Sequence, residues 1–399
     1  MRNSFADFTV LAVTTIRYRS KYLSDVHLLV LGFGTFTLGI DGFVLAGLLP
    51  QVASDLGTSE ATAGQLTTIF AFTYAVGSPI IASLTGRFDR RWLLAVGMAV
   101  FIVGMVFQAA GGNFGVVVLG RVIAALGAAA YQANAYAVAG VASSDERRAR
   151  SLAFVATGGS LALVAGLPFG VLLGQWVGWR GVMWVLVALA VVTGSLVALL
   201  PAVYTPPTSL RTRLGTLGRG PVLLLLLGAS WVLVPAFLVL SYAPTVLHST
   251  GAMVVLGILA FGAGQVVGTR LVSTVIGRRS ALFAMLVGSG GTAVAMLAMA
   301  LAQPWTLATV AAFVAVGFFV GLSIVPQQHR YFSVAPDVAP VALGLNGSAI
   351  NIGSMLGAAF GGLILSSIGV GWLAPIGALV ASLGVVYLYV TAPERRTKR

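Results

Sequence analysis

The chain has no cysteine, which excludes a disulfide framework, a thiolate metal site and a cysteine nucleophile. It has only three histidines, His27, His248 and His329, each near the edge of an apolar run and too scattered for a metal site. Charge is scarce as well: Asp, Glu, Lys and Arg make up 8% of the 399 residues, against roughly 25% in a soluble globular protein. No Gly-rich stretch ending in Lys-Ser or Lys-Thr occurs, so no phosphate loop for a nucleotide is present. With 58% hydrophobic residues, no water-soluble core can absorb the apolar surface, and the soluble enzyme classes are excluded.

What is abundant is glycine, at 50 residues. In water each would weaken a helix by roughly 1 kcal/mol relative to alanine, whereas in lipid small residues let helix backbones approach closely. The net charge is +13, but the basic residues sit in short clusters between apolar runs and not along one face. The expected partner is therefore a lipid bilayer and not nucleic acid.

A helix needs about 20 apolar residues to cross a bilayer. Apolar runs fall at about 27–50, 61–84, 92–110, 114–141, 149–176, 179–201, 221–247, 252–276, 280–302, 305–329, 338–368 and 371–391, which makes twelve spans. Ahead of the first run stand Arg2, Arg17, Arg19 and Lys21 with no small-residue cleavage site of the usual kind, so the run reads as a retained helix and not a signal peptide. With the N-terminus cytoplasmic, the remaining basic clusters also fall inside: Arg87, Arg90 and Arg91; Arg147, Arg148 and Arg150; Arg211, Arg213 and Arg219; Arg278 and Arg279; Arg330; and the tail from Arg395. Outside segments hold only Arg180, while Arg121 and Arg270 lie within spans. This is the positive-inside pattern, and an odd number of spans would destroy it. The expectation is an all-α, multi-pass protein of the bacterial inner membrane with both termini cytoplasmic.

Its expected organisation is a cytoplasmic tail (1–26), a first six-helix half (27–201), a cytoplasmic linker (202–220) carrying Pro206 and Pro207, a second six-helix half (221–391) and a basic tail (392–399). The halves echo each other: the second span ends in Gly86-Arg87-Phe88-Asp89-Arg90-Arg91 and the eighth in Gly277-Arg278-Arg279. Repeats of this kind are the usual build of secondary transporters, with the binding site between them.

Of ten acidic residues, only Asp41 is expected deep inside a span. It lies in the first, about ten residues before Pro50, roughly 15 Å along the helix axis. An ionisable group at that depth is costly unless paired, hydrated or neutral, and marks a functional site by default. Arg121, in the fourth span at comparable depth, is its natural partner. The pair is either a structural tie between helices or a carboxylate whose proton affinity depends on water access and on the arginine.

The fifth span carries Gly158, Ala162, Gly166, Gly170 and Gly174 at strict i, i+4 spacing, with Pro168 inside the stripe. This is one smooth face, suited to close helix packing and to sliding or bending as two halves rock. The eleventh span repeats it with Ala349, Gly353, Gly357 and Gly361, and the eighth with Ala260, Gly264 and Gly268. Tyr74, Tyr131, Gln132, Trp231, Tyr242, Gln265, Asn346 and Asn351 are polar or aromatic groups within spans. As a set they would line an amphipathic cavity for a small-molecule substrate. Arg270, near the inner end of its span, is expected to snorkel to the headgroups.

These stretches resemble the major facilitator superfamily, and within it the twelve-span drug:proton antiporters that include chloramphenicol-resistance exporters and sugar-efflux permeases. The run from Gly39 to Pro50 is similar to that branch's first helix, and the resemblance makes Asp41 the proton carrier. Leu119 to Gly127 resembles the fourth-helix motif, whose arginine, implicated in proton coupling, maps to Arg121. The Gly158 to Gly174 stripe, with Gly166-Leu167-Pro168-Phe169-Gly170, resembles the fifth-helix motif associated with antiporters. The loop after the second span is similar only loosely to the superfamily's gating motif. Gly86 stands at the motif's aspartate and Asp89 at its second glycine, leaving Arg87, Asp89, Arg90 and Arg91 as gate residues.

The resemblance implies a monomeric antiporter that needs protons and no other cofactor, exporting a small amphipathic molecule such as a chloramphenicol-like drug. Proton-coupled transport of a sugar or metabolite is the nearest alternative, and a non-transporting membrane sensor a further one. A membrane enzyme is disfavoured, because one buried Asp beside an Arg is too little for catalysis.

Overall fold

The computed structural model describes residues 24–143, 145–204, 215–278, 280–302 and 305–392. Most of the tails expected at 1–26 and 392–399, and the middle of the linker expected at 202–220, lie outside the described residues. Helix accounts for nearly all the rest, and no strand occurs among the described residues.

Eleven continuous helices are long and apolar enough to cross a membrane, and one of them, over Arg150–Val197, is 48 residues long. That is about twice a bilayer's need. It turns back at Gly178, whose φ of 70° a side chain would strain, so the spans number twelve. In order they are α1 (Asp25–Gly47), α2 (Glu60–Leu84), α3 (Arg90–Ala110), α4 (Phe114–Val141), α5 (145–177), α6 (179–197), α7 (Gly220–Leu240), α8 (Ala252–Arg278), α9 (Ala281–Ala302), α10 (Thr306–Val334), α11 (Ala339–Ser367) and α12 (Leu373–Val390). An even number of crossings puts residue 24, both linker ends and residue 392 on one side of the bundle, the terminal side; the other is the far side.

Local chemistry sets several boundaries. Ser59 and Asn113 cap α2 and α4, accepting the Thr62 and Val116 amides at 3.1 and 3.0 Å. Within α5, residues Ala162–Gly166 form a π-helical turn directly ahead of Pro168. Proline has no N–H to give and its ring crowds the carbonyl four residues back, so the helix widens there.

Each half repeats the same packing. α1 lies on α5 as α7 lies on α11, and α3 lies on α4 and α6 as α9 lies on α10 and α12. The halves meet through α2 against α11 and α5 against α8. Large apolar side chains cover the outside, and the exposed Phe88 and Trp92 on the terminal side and Trp176, Trp305 and Trp372 on the far side sit where aromatic rings meet headgroups. Arg180, the basic residue on the far side, is neutralised there: it pairs with Asp55 at 2.9 Å and donates to the Ala109 carbonyl at 3.2 Å.

Glycine decides how close the helices come. The α5 stripe faces α1: a Cβ on Gly158 would strike the Gly32 carbonyl, one on Gly166 the Ile40 side chain, on Gly170 Val44, and on Gly174 Leu48. In the second half Gly353 meets the Ser230 carbonyl and Gly357 meets Val234 and Phe237 of α7. The stripe thus fixes the helix that carries Asp41 inside its own half. Sliding between halves does not fall on this face; α5 meets α8 through Val164, which touches Gly262.

Candidate functional site

A cavity of about 610 Å³ lies between the halves at mid-depth. Its first-half wall includes Thr35 and Phe43 of α1, Thr67, Phe70 and Tyr74 of α2, Gln132 of α4 and Thr157 of α5. The second half supplies Phe237, Gln265, Thr269, Arg270, Ile350 and Asn351, among others. Phe43 and Phe237 stack across the halves with ring centroids 5.8 Å apart. Beyond them on the far side Thr245 donates to Glu60 at 2.5 Å, and Tyr242 wedges between Gly64 of α2 and Gly361 of α11. These contacts hold the halves together on the far side of the cavity. A smaller lobe of about 140 Å³ runs off Gln265 into the second half, walled by Leu233, Leu240 and Phe261, with Gln327 and Asn346 at its polar edge.

Asp41 and Arg121 sit beside the cavity but not on its wall. Both are 0% exposed, and Arg121 Nη1 meets Asp41 Oδ1 at 2.8 Å. The guanidinium has further partners: Nε donates to the Leu66 carbonyl at 3.3 Å, and Nη1 also reaches the Asp41 carbonyl at 3.2 Å and Gln108 Oε1 at 3.5 Å. The Phe70 ring covers it, with its centroid 4.4 Å from Cζ. Asp41 Oδ2 and Arg121 Nη2 have no hydrogen-bond partner among the described residues. Removing either charge from such a pair leaves the other in a low-dielectric interior, yet Arg121 keeps two carbonyls, an amide oxygen and a π-face if Asp41 becomes neutral. The arrangement accommodates both protonation states of the carboxyl.

The other expected substrate contacts divide. Tyr74, Gln132 and Asn351 line the main cavity and Asn346 the lobe. Tyr131 does not: it is buried between α4 and α1, donating to the Val30 carbonyl at 3.2 Å, with Gly34 hard against its ring. Trp231 donates to the Val380 carbonyl at 2.8 Å and stacks on Tyr387, tying α7 to α12. Tyr242 donates to the Ala358 carbonyl at 2.9 Å and belongs to the far-side contacts. In each case a buried polar tip satisfies itself on a neighbouring helix's backbone and turns the ring away from the cavity. Arg270, exposed, borders the main cavity toward the terminal end of α8.

The loop after α2 is a brace. Asp89 Oδ1 accepts the Arg91 and Val203 amides at 3.0 Å each, so it caps α3 and holds the exit of α6. Arg90, buried, donates to Asn134 at 2.9 Å and to the Gly86 carbonyl at 3.3 Å. Arg91 lies 3.9 Å from Asp89, and Arg87 is exposed. These contacts fasten the loop to α4 and α6 of its own half; Asp89, which makes two of them, stands three residues beyond the position where the motif has its aspartate. On the terminal side of the second half, Arg219 ahead of α7 pairs with Asp337 between α10 and α11, and the hydrogen bond from Arg219 holds the exposed Asp337 carboxyl below the ordinary carboxylate range.

Residue-by-residue reading missed Gln108 and Phe70. Gln108 is the one polar residue of α3 beyond Arg90 and Arg91 at its start and is 0% exposed, a signal the sequence does carry. Nothing in the sequence marks Phe70.

Comparisons agree on kinship. The chain matches the sequence family described as Major Facilitator Superfamily over residues 31–346. It is similar to a chloramphenicol resistance protein of Streptomyces lividans, 31% identical and covering 83% of this chain and 86% of the relative. A probable sugar efflux transporter of Pasteurella multocida is 28% identical, with 88% of each chain covered. The inner membrane transport protein YdhP of Escherichia coli K12 is 27% identical, covering 92% and 96%. Among solved structures, a D-xylose-proton symporter superposes with a TM-score of 0.73 at 17% identity, covering 92% of this chain and 98% of that one.

Proposed function

The chain belongs to the Major Facilitator Superfamily and is a multi-pass membrane transporter, not an enzyme; on that footing we propose that it exports a small amphipathic molecule in exchange for protons. The observation that carries this reading is the fully buried Asp41–Arg121 pair, with one unpartnered oxygen and one unpartnered nitrogen, beside a cavity between the halves. A single carboxyl that can change protonation while its partner keeps other contacts is what proton coupling requires.

In the proposed cycle substrate enters from the cytoplasm on the terminal side, both termini being cytoplasmic. The halves rock, the Phe43–Phe237 contact parts, and Asp41 gains a proton from outside as substrate leaves. Return to the cytoplasm-facing state releases that proton inward. Asp41 is not on the cavity wall, so substrate and proton do not compete for the same atoms. Phe70 touches both, with the cavity on one side of its ring and the Arg121 guanidinium on the other, and carries the coupling between them. The chloramphenicol-resistance and sugar-efflux relatives favour export, and the inner membrane transport protein favours that membrane; a monomer is expected because the two halves complete the transport unit within one chain.

The test uses proteoliposomes with an imposed pH gradient. The wild type is expected to move a substrate found by an antibiotic and sugar panel, run with and without a protonophore, and to move protons the opposite way. Asp41→Asn is expected to lose gradient-driven export at least 100-fold while retaining substrate exchange. Active export by Asp41→Asn at the wild-type rate removes the assignment, and protons moving with substrate make the protein an uptake symporter.

A further inference from the structure

We infer that the apolar lobe in the second half is the subsite that recognises the transported molecule. It takes a neutral head group with both a hydrogen-bond donor and an acceptor, a primary carboxamide on an apolar ring being the closest match. This deepens the exporter reading and rests on it. The chemistry starts at a backbone carbonyl. Leu225 of α7 offers Gln327 of α10 an oxygen with no hydrogen to give, so the end of the Gln327 amide that meets it is the nitrogen. Gln327 Nε2 also donates to Tyr331 Oη at 3.4 Å. The Tyr331 hydroxyl, with its own hydrogen to place, donates to Asn346 Oδ1 of α11 at 2.9 Å. Each bond fixes the orientation of the next group, and two groups are left over. Gln327 Oε1 has no hydrogen-bond partner among the described residues. Asn346 accepts through Oδ1, and its Nδ2 donates to no described residue.

Both residues with this spare capacity are buried and belong to the wall of the lobe. The rest of that wall is apolar apart from Gln265 and Ser323, whose hydroxyl packs against Gly288 of α9. No charged side chain occurs among its described residues. A buried acceptor left without a partner is costly. A ligand N–H on Gln327 Oε1 recovers that cost while the ligand's carbonyl accepts from Asn346 Nδ2, and a ring fills the apolar remainder. A charged head finds no counter-ion there and is held out by desolvation. The lobe is reached from the main cavity, since Phe43, Phe237, Gln265 and Ile350 line both. Its volume of about 140 Å³ suits one ring with a short head.

The experiment is calorimetric titration of the purified full-length protein with three probes that share one apolar body: phenylpropanamide; phenylbutanone, in which a methyl replaces the amide nitrogen; and phenylpropionate. The wild type is expected to bind the amide roughly tenfold more tightly than either the ketone or the carboxylate. Gln327→Met, which keeps the length of the side chain and removes the acceptor, is expected to bind amide and ketone equally. Ala229→Leu fills the lobe with apolar atoms, leaves the hydrogen-bond chain alone and is expected to lose both. If Gln327→Met does not fold, the wild-type preference and the loss of binding in Ala229→Leu together decide. The inference is overturned if the wild type binds amide and ketone alike, if the carboxylate binds as tightly as the amide, or if Gln327→Met keeps the full preference. It is overturned equally if Ala229→Leu binds the amide at wild-type strength, or if no probe binds. Amide binding in the lobe without proton-driven movement would overturn the exporter reading and leave the subsite standing.

Discussion

Counted from the first residue of corresponding helices, Asp41 of α1, Gln108 of α3 and Arg121 of α4 have as counterparts Ala236 of α7, Met299 of α9 and Phe313 of α10. All six are 0% exposed. The same scaffold positions are thus equally dry in both halves, but one set holds an ion pair with its amide and the other holds only apolar atoms. The first half pays for two buried charges with carbonyls, an amide and a ring face, whereas the second achieves the same burial by packing alone. A symmetric architecture has been given an asymmetric chemistry, with a buried ion pair on one side and an apolar lobe on the other.

The sharpest way to break this comparison is to remove one charge. Arg121→Gln leaves Asp41 alone in the interior and is expected to cost about 3–5 kcal/mol in detergent unfolding. Asp41→Asn combined with Arg121→Gln should recover most of that stability and none of the coupling. The counterpart change, Phe313→Leu, is expected to cost under about 1.5 kcal/mol and leave transport within about twofold. Equal costs on the two sides would show that the pair has no special standing.

Next in size is Phe70→Ala. Opening the cavity to the Arg121 guanidinium should admit water to the pair and raise substrate-independent proton leak roughly tenfold, since a sealed low-dielectric wall is what isolates buried charge. Phe70→Leu, which keeps the seal without the π-face, should leak much less. Tight coupling in Phe70→Ala, measured as protons moved per substrate, would remove Phe70 from the mechanism.

The glycine zippers test where the halves are alike. Gly158→Ala and Gly353→Ala each drive a Cβ into a backbone carbonyl of the facing helix, and each should lose about 1–3 kcal/mol of stability. Gly347→Ala, with open space around it, should be neutral or slightly stabilising. The smallest effect belongs to the Arg219–Asp337 pair. Its folded carboxyl is held below the ordinary value of 3.8, so its contribution is present above that value and fades as pH falls through the lower folded one. Asp337→Asn should therefore differ slightly from wild type at neutral pH and not at all in strong acid, read as a difference in melting temperature.

Much of this was legible before any coordinates. Twelve apolar runs appeared as twelve spans, and the break at Gly178 falls between the runs ending at 176 and starting at 179. Asp41 and Arg121 stood out because charge inside a span is rare and expensive, and that expense is independent of which neighbour pays it. The aromatic set was less legible. Tyr74 and Tyr131 look alike in sequence, but one lines the cavity and the other reaches a carbonyl on α1, because a helix turned by a third of a rotation exchanges the two environments.

The sequence alone determined the membrane, the number of crossings and the acid–base pair, since each follows from the cost of placing polar or apolar atoms at a given depth. Only the tertiary structure decided which surfaces face the cavity, that Phe70 stands between the cavity and the pair, and that Arg90 and Asp89 brace their own half. Depth is a property of position along one helix; facing is a property of several helices packed together, and no single stretch of chain contains it.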